Sequence, residues 1–465
     1  MSIETVDQLK GLPAEWKNEL LPAIRDQFIK SAKTIVVLDD DPTGTQTSYD
    51  VTVITNWKVG LLTEELKKNP SILFILTNSR SLPQDAAVQL AFEVGRNLKE
   101  AVKNSGREII ALSRSDSTLR GHFPAEVDAL AQALDIEDAV TVLVPAFIEG
   151  GRYTLQDVHY IKEGQELVPV SETPFARDAV FGYNHSNLRE WVEEKSKGKV
   201  KAEEVISLSL EDIRLGGPGR VHEKLSKCAP GQVCVVNACS LKDLEVFVMG
   251  VLLAEQSKQR FIFRTSATLV TILAGMSPGK SFRPEKHETS GNGSLVMVGS
   301  YVPKTTSQLE YLLAQDSHQS IEIDVATILQ TQAEAYADAI IEKTDAFIAA
   351  GKDVVVYTSR KLETGKDAEG SLRINSIVSS FLVNILQGIT VRPAFIVAKG
   401  GITSSDLASK GLGAEKALIL GQIIAGVPVW QMSERSKFPD MIYVVFPGNV
   451  GDHTALAEVC EKLKS

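Results

Sequence analysis

Short, wholly apolar runs alternate with longer amphipathic stretches over the first half of the chain. The runs Thr34–Leu38, Ser71–Thr77, Glu108–Leu112, Val140–Val144, Gln232–Val236 and Phe261–Phe263 read as strands, and 84–104 and 124–134 as helices. Strands that alternate with helices predict a parallel sheet, and runs apolar throughout predict strands buried on both faces. The pattern breaks at 277–293, a stretch rich in Gly, Pro, Ser and charge, and then restarts. Strands are expected at 294–298, 321–324, 353–358, 394–398 and 441–445. Helices are expected at 304–315, 333–349, 372–386 and 414–424. This gives an α/β chain of two domains, each a mainly parallel sheet flanked by helices, with an active-site cleft between them. The boundaries are 1–280, a linker at 281–293, and 294–465. A length of 465 residues agrees, because single hydrophobic cores stop growing at roughly 250–300 residues.

Bulk properties narrow the classes further. A net charge of −10 without a basic stripe argues against a nucleic-acid partner, though not against a nucleotide, whose phosphates can be met by backbone N–H groups and Mg²⁺. The polar, acidic N-terminus has no apolar signal-peptide core, and no apolar run is long enough to span a membrane. The four cysteines match neither a zinc site nor a redox pair, so a reduced, cytoplasmic setting is expected.

In open parallel sheets, ligands gather beyond the carboxyl ends of the strands. Polar clusters recur there in this sequence. LDDDPTGTQT (38–47) carries Asp39, Asp40 and Asp41, whose mutual repulsion needs a compensating partner; one of these Asp residues could orient a substrate hydroxyl or take its proton. Asn78–Arg80 follows the next strand. SRSDSTLRGH (113–122) contributes Arg114, Asp116, Ser117 and Arg120, with Asp116 joining Asp40 and Asp41 as a candidate catalytic carboxylate, base or hydroxyl acceptor, and GGR (150–152) adds Arg152. Guanidinium groups suit a carboxylate because they grip it with parallel hydrogen bonds. His122 and His159 read more simply as structural. In the second half, the loops beginning at Gly299, Lys399 and Phe446 follow strands, and glycines there would let backbone N–H groups approach an anion. AGMSPGKS (274–281) mimics a phosphate-binding loop but follows a helix-like run, so it is set aside. No complete GxGxxG fingerprint is present, which weighs against the alternative of an NAD(P)-dependent hydroxy-acid oxidoreductase. A non-catalytic sugar-acid sensor is a third alternative.

Taken together, DDPTG (40–44), SDSTLRG (115–121), GGR (150–152), the Gly299–Ser300 loop, GGITSSD (400–406) and FPGN (446–449) resemble the four-carbon acid sugar kinase family across the chain from about Thr34 onward. The resemblance implies an N-terminal acid-sugar-binding domain and a C-terminal nucleotide-binding domain. It also implies ATP and Mg²⁺ as cofactors and a small-molecule sugar acid as the other partner, and leaves homo-oligomerisation open. By position, Ser300, Gly400, Gly401, Ile402, Thr403 and Gly448 match the ATP-contacting loops. Asp40, Asp41, Arg80, Asp116, Arg120 and Arg152 match the acid-sugar side. Departures at Pro42, Arg114 and Asp157, and the segment 171–191, fall on the substrate side and bear on which acid is used.

Overall fold

The computed structural model describes residues 4–277, 279–284, 291–315, 317–330, 333–361, 363 and 368–464. The chain divides into two compact units. One comprises Met1–Asp40 and Asn56–Pro278, the other Asp41–Thr55 and Gly279–Ser465.

The N-terminal unit is built on seven parallel strands in the order Ile206–Leu208, Val233–Val236, Val140–Val144, Phe261–Thr265, Ile109–Arg114, Thr34–Asp39, Ile72–Leu76. Every residue of Thr34–Asp39 and Ile72–Leu76 is buried, as expected of strands covered on both faces. Helix Gln84–Ser105 places Ala87, Ala91, Val94, Leu98 and Ala101 in the core at helical spacing. Gly106, in the left-handed region, ends that helix by donating to Val102 O. A small antiparallel sheet of Arg152–Leu155, Val158–Glu163, Glu166–Pro169 and Glu4–Thr5 adds to this unit, and none of its strands was anticipated.

The C-terminal unit holds five parallel strands, in the order Ile442–Phe446, Ile396–Lys399, Leu295–Val298, Val354–Thr358, Gln319–Ile323. Three antiparallel strands extend it: Val427–Met432 beside Ile442–Phe446, then Lys416–Ile424, then Val51–Ile54. The helix expected at 414–424 is therefore strand Lys416–Ile424. Its core residues Ala417, Ile419, Gly421 and Ile423 recur every second position, a strand period.

Two further points of organisation differ from the sequence reading. Residues 41–55 cluster with the C-terminal unit, although they lie within the expected N-terminal domain. Strand pairing of Val51–Ile54 with Lys416–Ile419 explains this, and the buried Trp430 adds a hydrogen bond from Nε1 to Thr45 Oγ1 at 3.1 Å. Of the expected linker, residues 285–290 lie outside the described residues. Its start is docked: Ser281 bridges to Gln422, and Phe282 N donates to Gln422 O at 2.7 Å. The set-aside AGMSPGKS stretch does follow a helix, Ala267–Leu273.

Candidate functional site

In the N-terminal unit, register alone assembles a polar cluster. Asp39 pairs with Arg114 across neighbouring strands, and Arg114 pairs with Thr265 on the next, so three strands end at one level. Asp39, Asp40, Arg114, Ser115 and Arg264 are all buried there. Burying a charge is costly unless it is paired, and Asp39, Asp40 and Arg114 are paired. Arg114 Nη1 donates to Asp39 Oδ1 at 3.1 Å and lies 3.7 Å from Asp40 Oδ1. Ser115 Oγ donates to Asp40 Oδ2 at 2.6 Å.

Arg80 reaches two carboxylates, Asp40 at 3.7 Å and Asp116 at 3.6 Å. Arg120 Nε donates to Asp116 Oδ2 at 2.6 Å, while its Nη1 lies 3.5 Å from Asp178 and its guanidinium stacks over Phe175. Burial raises the Asp116 carboxyl, but the Arg120 and Arg80 charges and the Thr118 hydroxyl outweigh it and hold it well below the usual carboxylate range. Arg152 is half-buried, bonded to Gly150 O and set over the Phe147 ring, and burial lowers its pKa. Ser117 is buried and offers its carbonyl to His159 Nε2 at 2.7 Å. Because that carbonyl can only accept, Nε2 carries the proton, and Nδ1 accepts from the Thr154 hydroxyl at 2.9 Å. Burial pushes His159 down to about 4, and His122 Nε2 sits against two backbone carbonyls. Both histidines are thus engaged with groups of the fold itself.

Four members of this cluster were missed. Arg264 donates to Arg120 O at 3.0 Å and lies over the Trp191 ring, with burial pulling its pKa to about 10. Its place at a strand end was the available signal. Glu126, in helix Ala125–Ala133, accepts from Ser79 Oγ at 2.6 Å; burial first, then the Asp40 charge, raises it to about 7. Asp178 and Tyr183 come from the 171–191 segment, where Tyr183 OH donates to Thr118 O at 2.7 Å. That segment therefore packs on the cluster, with Phe181 edge-on to His122.

The C-terminal unit builds a different arrangement from its own register. Val298, Lys399 and Phe446 are aligned on three adjacent parallel strands, so the loops that follow them emerge side by side. They carry Ser300, Gly400–Gly401 and Gly448. Gly400 has φ +121°, a conformation L side chains rarely adopt, and a Cβ there would lie 3.1 Å from both Ser300 Cβ and Thr403 Oγ1. A Cβ on Gly401 would lie 2.7 Å from Asp41 Oδ2. Thr305 Oγ1 ties two loops together, reaching Ser300 Oγ at 3.2 Å and Gly448 O at 3.0 Å. Arg360, another missed strand-end residue, donates to Ser300 O at 2.8 Å and to Thr358 O. Thr403 is buried and Ile402 is 43% exposed. Two further polar residues of GGITSSD are held by the fold: Ser404 Oγ reaches Ala398 O and Gly400 O, and Asp406 pairs with Lys410 at 2.7 Å.

Asp41 belongs to this unit. It caps the 3₁₀ turn Pro42–Thr47 by accepting from Thr43 N at 2.9 Å, with Pro42 at the first helical position, where its missing N–H costs nothing. The three expected catalytic carboxylates are thus distributed, with Asp40 and Asp116 in the N-terminal unit and Asp41 in the C-terminal one. Among the described residues, no cluster of three or more His, Cys, Asp or Glu is arranged to hold a metal. None of the described helices is long and apolar enough to cross a membrane.

The N-terminal unit thus carries an arginine–carboxylate cluster at its strand ends, and the C-terminal unit a set of glycine-lined loops. A family model described as a sugar-binding N-terminal domain matches residues 35–273, and one described as a nucleotide-binding C-terminal domain matches 295–456. The chain belongs to the four-carbon acid sugar kinase family that these domains make up. It is 24% identical to the D-threonate kinase of Salmonella typhimurium over 92% of this chain and 97% of that protein. Identity to the D-erythronate kinase of Heliobacterium modesticaldum is 24% over 59% of each chain. Among solved structures, a Haemophilus influenzae protein covers 91% of the chain, and 98% of its own, at TM-score 0.62 and 18% identity, a likeness of fold.

Proposed function

We propose that this protein is an ATP-dependent kinase that phosphorylates a terminal hydroxyl of a small, four-carbon sugar acid. The observation that carries the reading is the glycine turn at Gly400–Gly401, flanked by Ser300 and Gly448 and closed on one side by the Asp41 carboxylate. The absence of side chains lets backbone N–H groups approach phosphate oxygens, the chemistry a nucleoside triphosphate needs. Tyr301, 47% exposed, and Ile402 offer apolar surface beside these loops for a nucleobase. The kinase relatives supply the substrate class, since two named sugar-acid kinases align with this chain.

The acid belongs to the N-terminal unit, where Arg80, Arg114, Arg120 and Arg152 provide guanidinium groups and Asp40, Asp116 and Ser117 provide hydroxyl partners. Because Arg80 and Arg120 already engage carboxylates, an incoming carboxylate would share donors held in place. Of the three candidate bases, Asp41 fits best. Asp116 is held too acidic to accept a proton readily, and Asp40 is buried under Ser115. Asp41 is half-buried and beside the turn that would hold the phosphates. Mg²⁺ typically comes with the nucleotide, and bound with it the ion would neutralise phosphate charge. In such chemistry the protein's contribution is positioning and electrostatic stabilisation.

The test is ATP consumption by the purified protein with Mg²⁺ against four- to six-carbon sugar acids, with product mass checked for one added phosphoryl group. A substrate-dependent phosphorylated product is expected. No turnover with any acid, together with no ATP binding, would overturn the reading.

A further inference from the structure

Lys399 stands where a lysine would ordinarily be read as a phosphate ligand, directly before the Gly400–Gly401 turn. Its geometry excludes that role. The side chain is 0% exposed, its Nζ donates to Pro447 O at 2.6 Å, and it lies 3.7 Å from the centre of the Phe446 ring. The amine end therefore points at the loop leaving the neighbouring strand.

The backbone of the same residue faces the other neighbour. Lys399 O accepts from Gly299 N at 3.3 Å and from Ser300 N at 3.4 Å, while Gly400 N donates to Phe446 O at 2.9 Å. Lys399 thus touches all three loops: its carbonyl holds Gly299–Ser300, its chain continues into Gly400–Gly401, and its side chain holds Pro447 next to Gly448. Strand pairing fixes these loops only up to Val298, Lys399 and Phe446. Beyond that level, the Nζ bond to Pro447 O joins the Thr305 hydroxyl in setting the spacing of the glycine loops.

We infer that Lys399 is a positioning residue that sets the separation of the Gly400–Gly401 and Pro447–Gly448 loops, and thereby the affinity for the phosphate groups of the nucleotide. This rests on the nucleotide-binding reading of the C-terminal unit. Burial, with a further push from Lys304, lowers the Lys399 pKa to about 6. An uncharged amine costs less to bury and still has an N–H for Pro447 O, so the tie holds in either protonation state.

The experiment compares Lys399→Met, which keeps the apolar stem and deletes the donor, with Lys399→Gln, which retains a shorter N–H donor. Affinities for ATP, ADP and adenosine are measured by calorimetry. Lys399→Met is expected to weaken ATP and ADP by about tenfold and adenosine by less than about twofold, with Lys399→Gln recovering part of the loss. A merely structural role would weaken all three ligands together, and that result, or wild-type ATP affinity in both variants, would overturn the inference. Where Lys399→Met does not fold, Lys399→Gln decides: ATP weakened with adenosine spared supports the role, and unchanged ATP affinity ends it. Failure of the wild-type protein to bind ATP would remove the nucleotide reading itself, which distinguishes the two failures.

Discussion

The N-terminal unit presents its chemistry on charged side chains, whereas the C-terminal unit presents backbone. In the first, Asp39, Asp40 and Asp116 are locked to Arg114, Arg80 and Arg120, and the strand ends would repel one another without that pairing. In the second, Gly400, Gly401 and Gly448 clear space around peptide groups, and the nearby basic groups, Lys399 and Arg360, are turned into the scaffold. The difference teaches how each surface would discriminate. A cluster of paired charges reads the number and placement of a ligand's carboxylate and hydroxyl groups. A glycine turn reads the close approach of tetrahedral oxygens. Variants in one unit should accordingly leave the other ligand's binding nearly untouched.

Asp41 breaks that separation most sharply, because it is a carboxylate in the backbone-presenting unit. Asp41→Asn keeps the acceptor that caps Thr43 N and removes the capacity to take a proton. Turnover is expected to fall by roughly 10²–10⁴-fold with ATP affinity changed little. Wild-type turnover in this variant would take Asp41 out of the mechanism. The next largest effect is expected from Arg120→Met, which leaves the Asp116 carboxylate with Arg80 alone, 3.6 Å away. Stripping one partner from this half-buried pair should lower the Tm, together with a raised KM for the acid and an unchanged KM for ATP. A rise in the ATP KM of the same size would mean that the units do not divide the ligands as described. Gly400→Val tests the opposite side. A branched side chain at φ +121° crowds Ser300 and Thr403, and ATP affinity is expected to fall about 100-fold, roughly 3 kcal/mol, while acid binding persists.

What the sequence made legible follows the same division. Buried parallel strands are apolar throughout, so Thr34–Asp39, Ile72–Leu76 and Val140–Val144 stand out, and the polar residues that follow them mark the strand ends. Glycines at 299, 400, 401 and 448 were readable for the same reason. The strand at Lys416–Ile424 was not, because KALILGQII is an apolar run whose helix and strand periods are hard to separate without its partners. Nor was the allegiance of residues 41–55, which depends on pairing with a strand far along the chain and on Trp430 meeting Thr45. Arg264 and Glu126 were passed over because each looks like an ordinary surface residue until tertiary packing buries it.

Glu126 provides the finest test, because it sits in the charged unit yet is raised to about 7 and so is largely protonated below that pH. Its ordinary pKa is 4.5, so between about pH 4.5 and 7 the folded protein binds a proton that the unfolded chain has released. The contribution to stability is fully present below 4.5 and is lost as pH rises through 7. Glu126→Gln keeps an acceptor for Ser79 Oγ and cannot ionise beside Asp40. Thermal melts at pH 5 and pH 8 should show the wild type losing on the order of 2 kcal/mol more than the variant over that interval. The variant should therefore gain relative stability at the alkaline end, a smaller effect than any of the preceding three. Parallel pH profiles for the two proteins would show instead that the buried carboxyl does not titrate in this range. The Asp40–Ser115–Arg114 group would then be insulated from it, and the charged unit would hold its pairs without any help from a neutral neighbour.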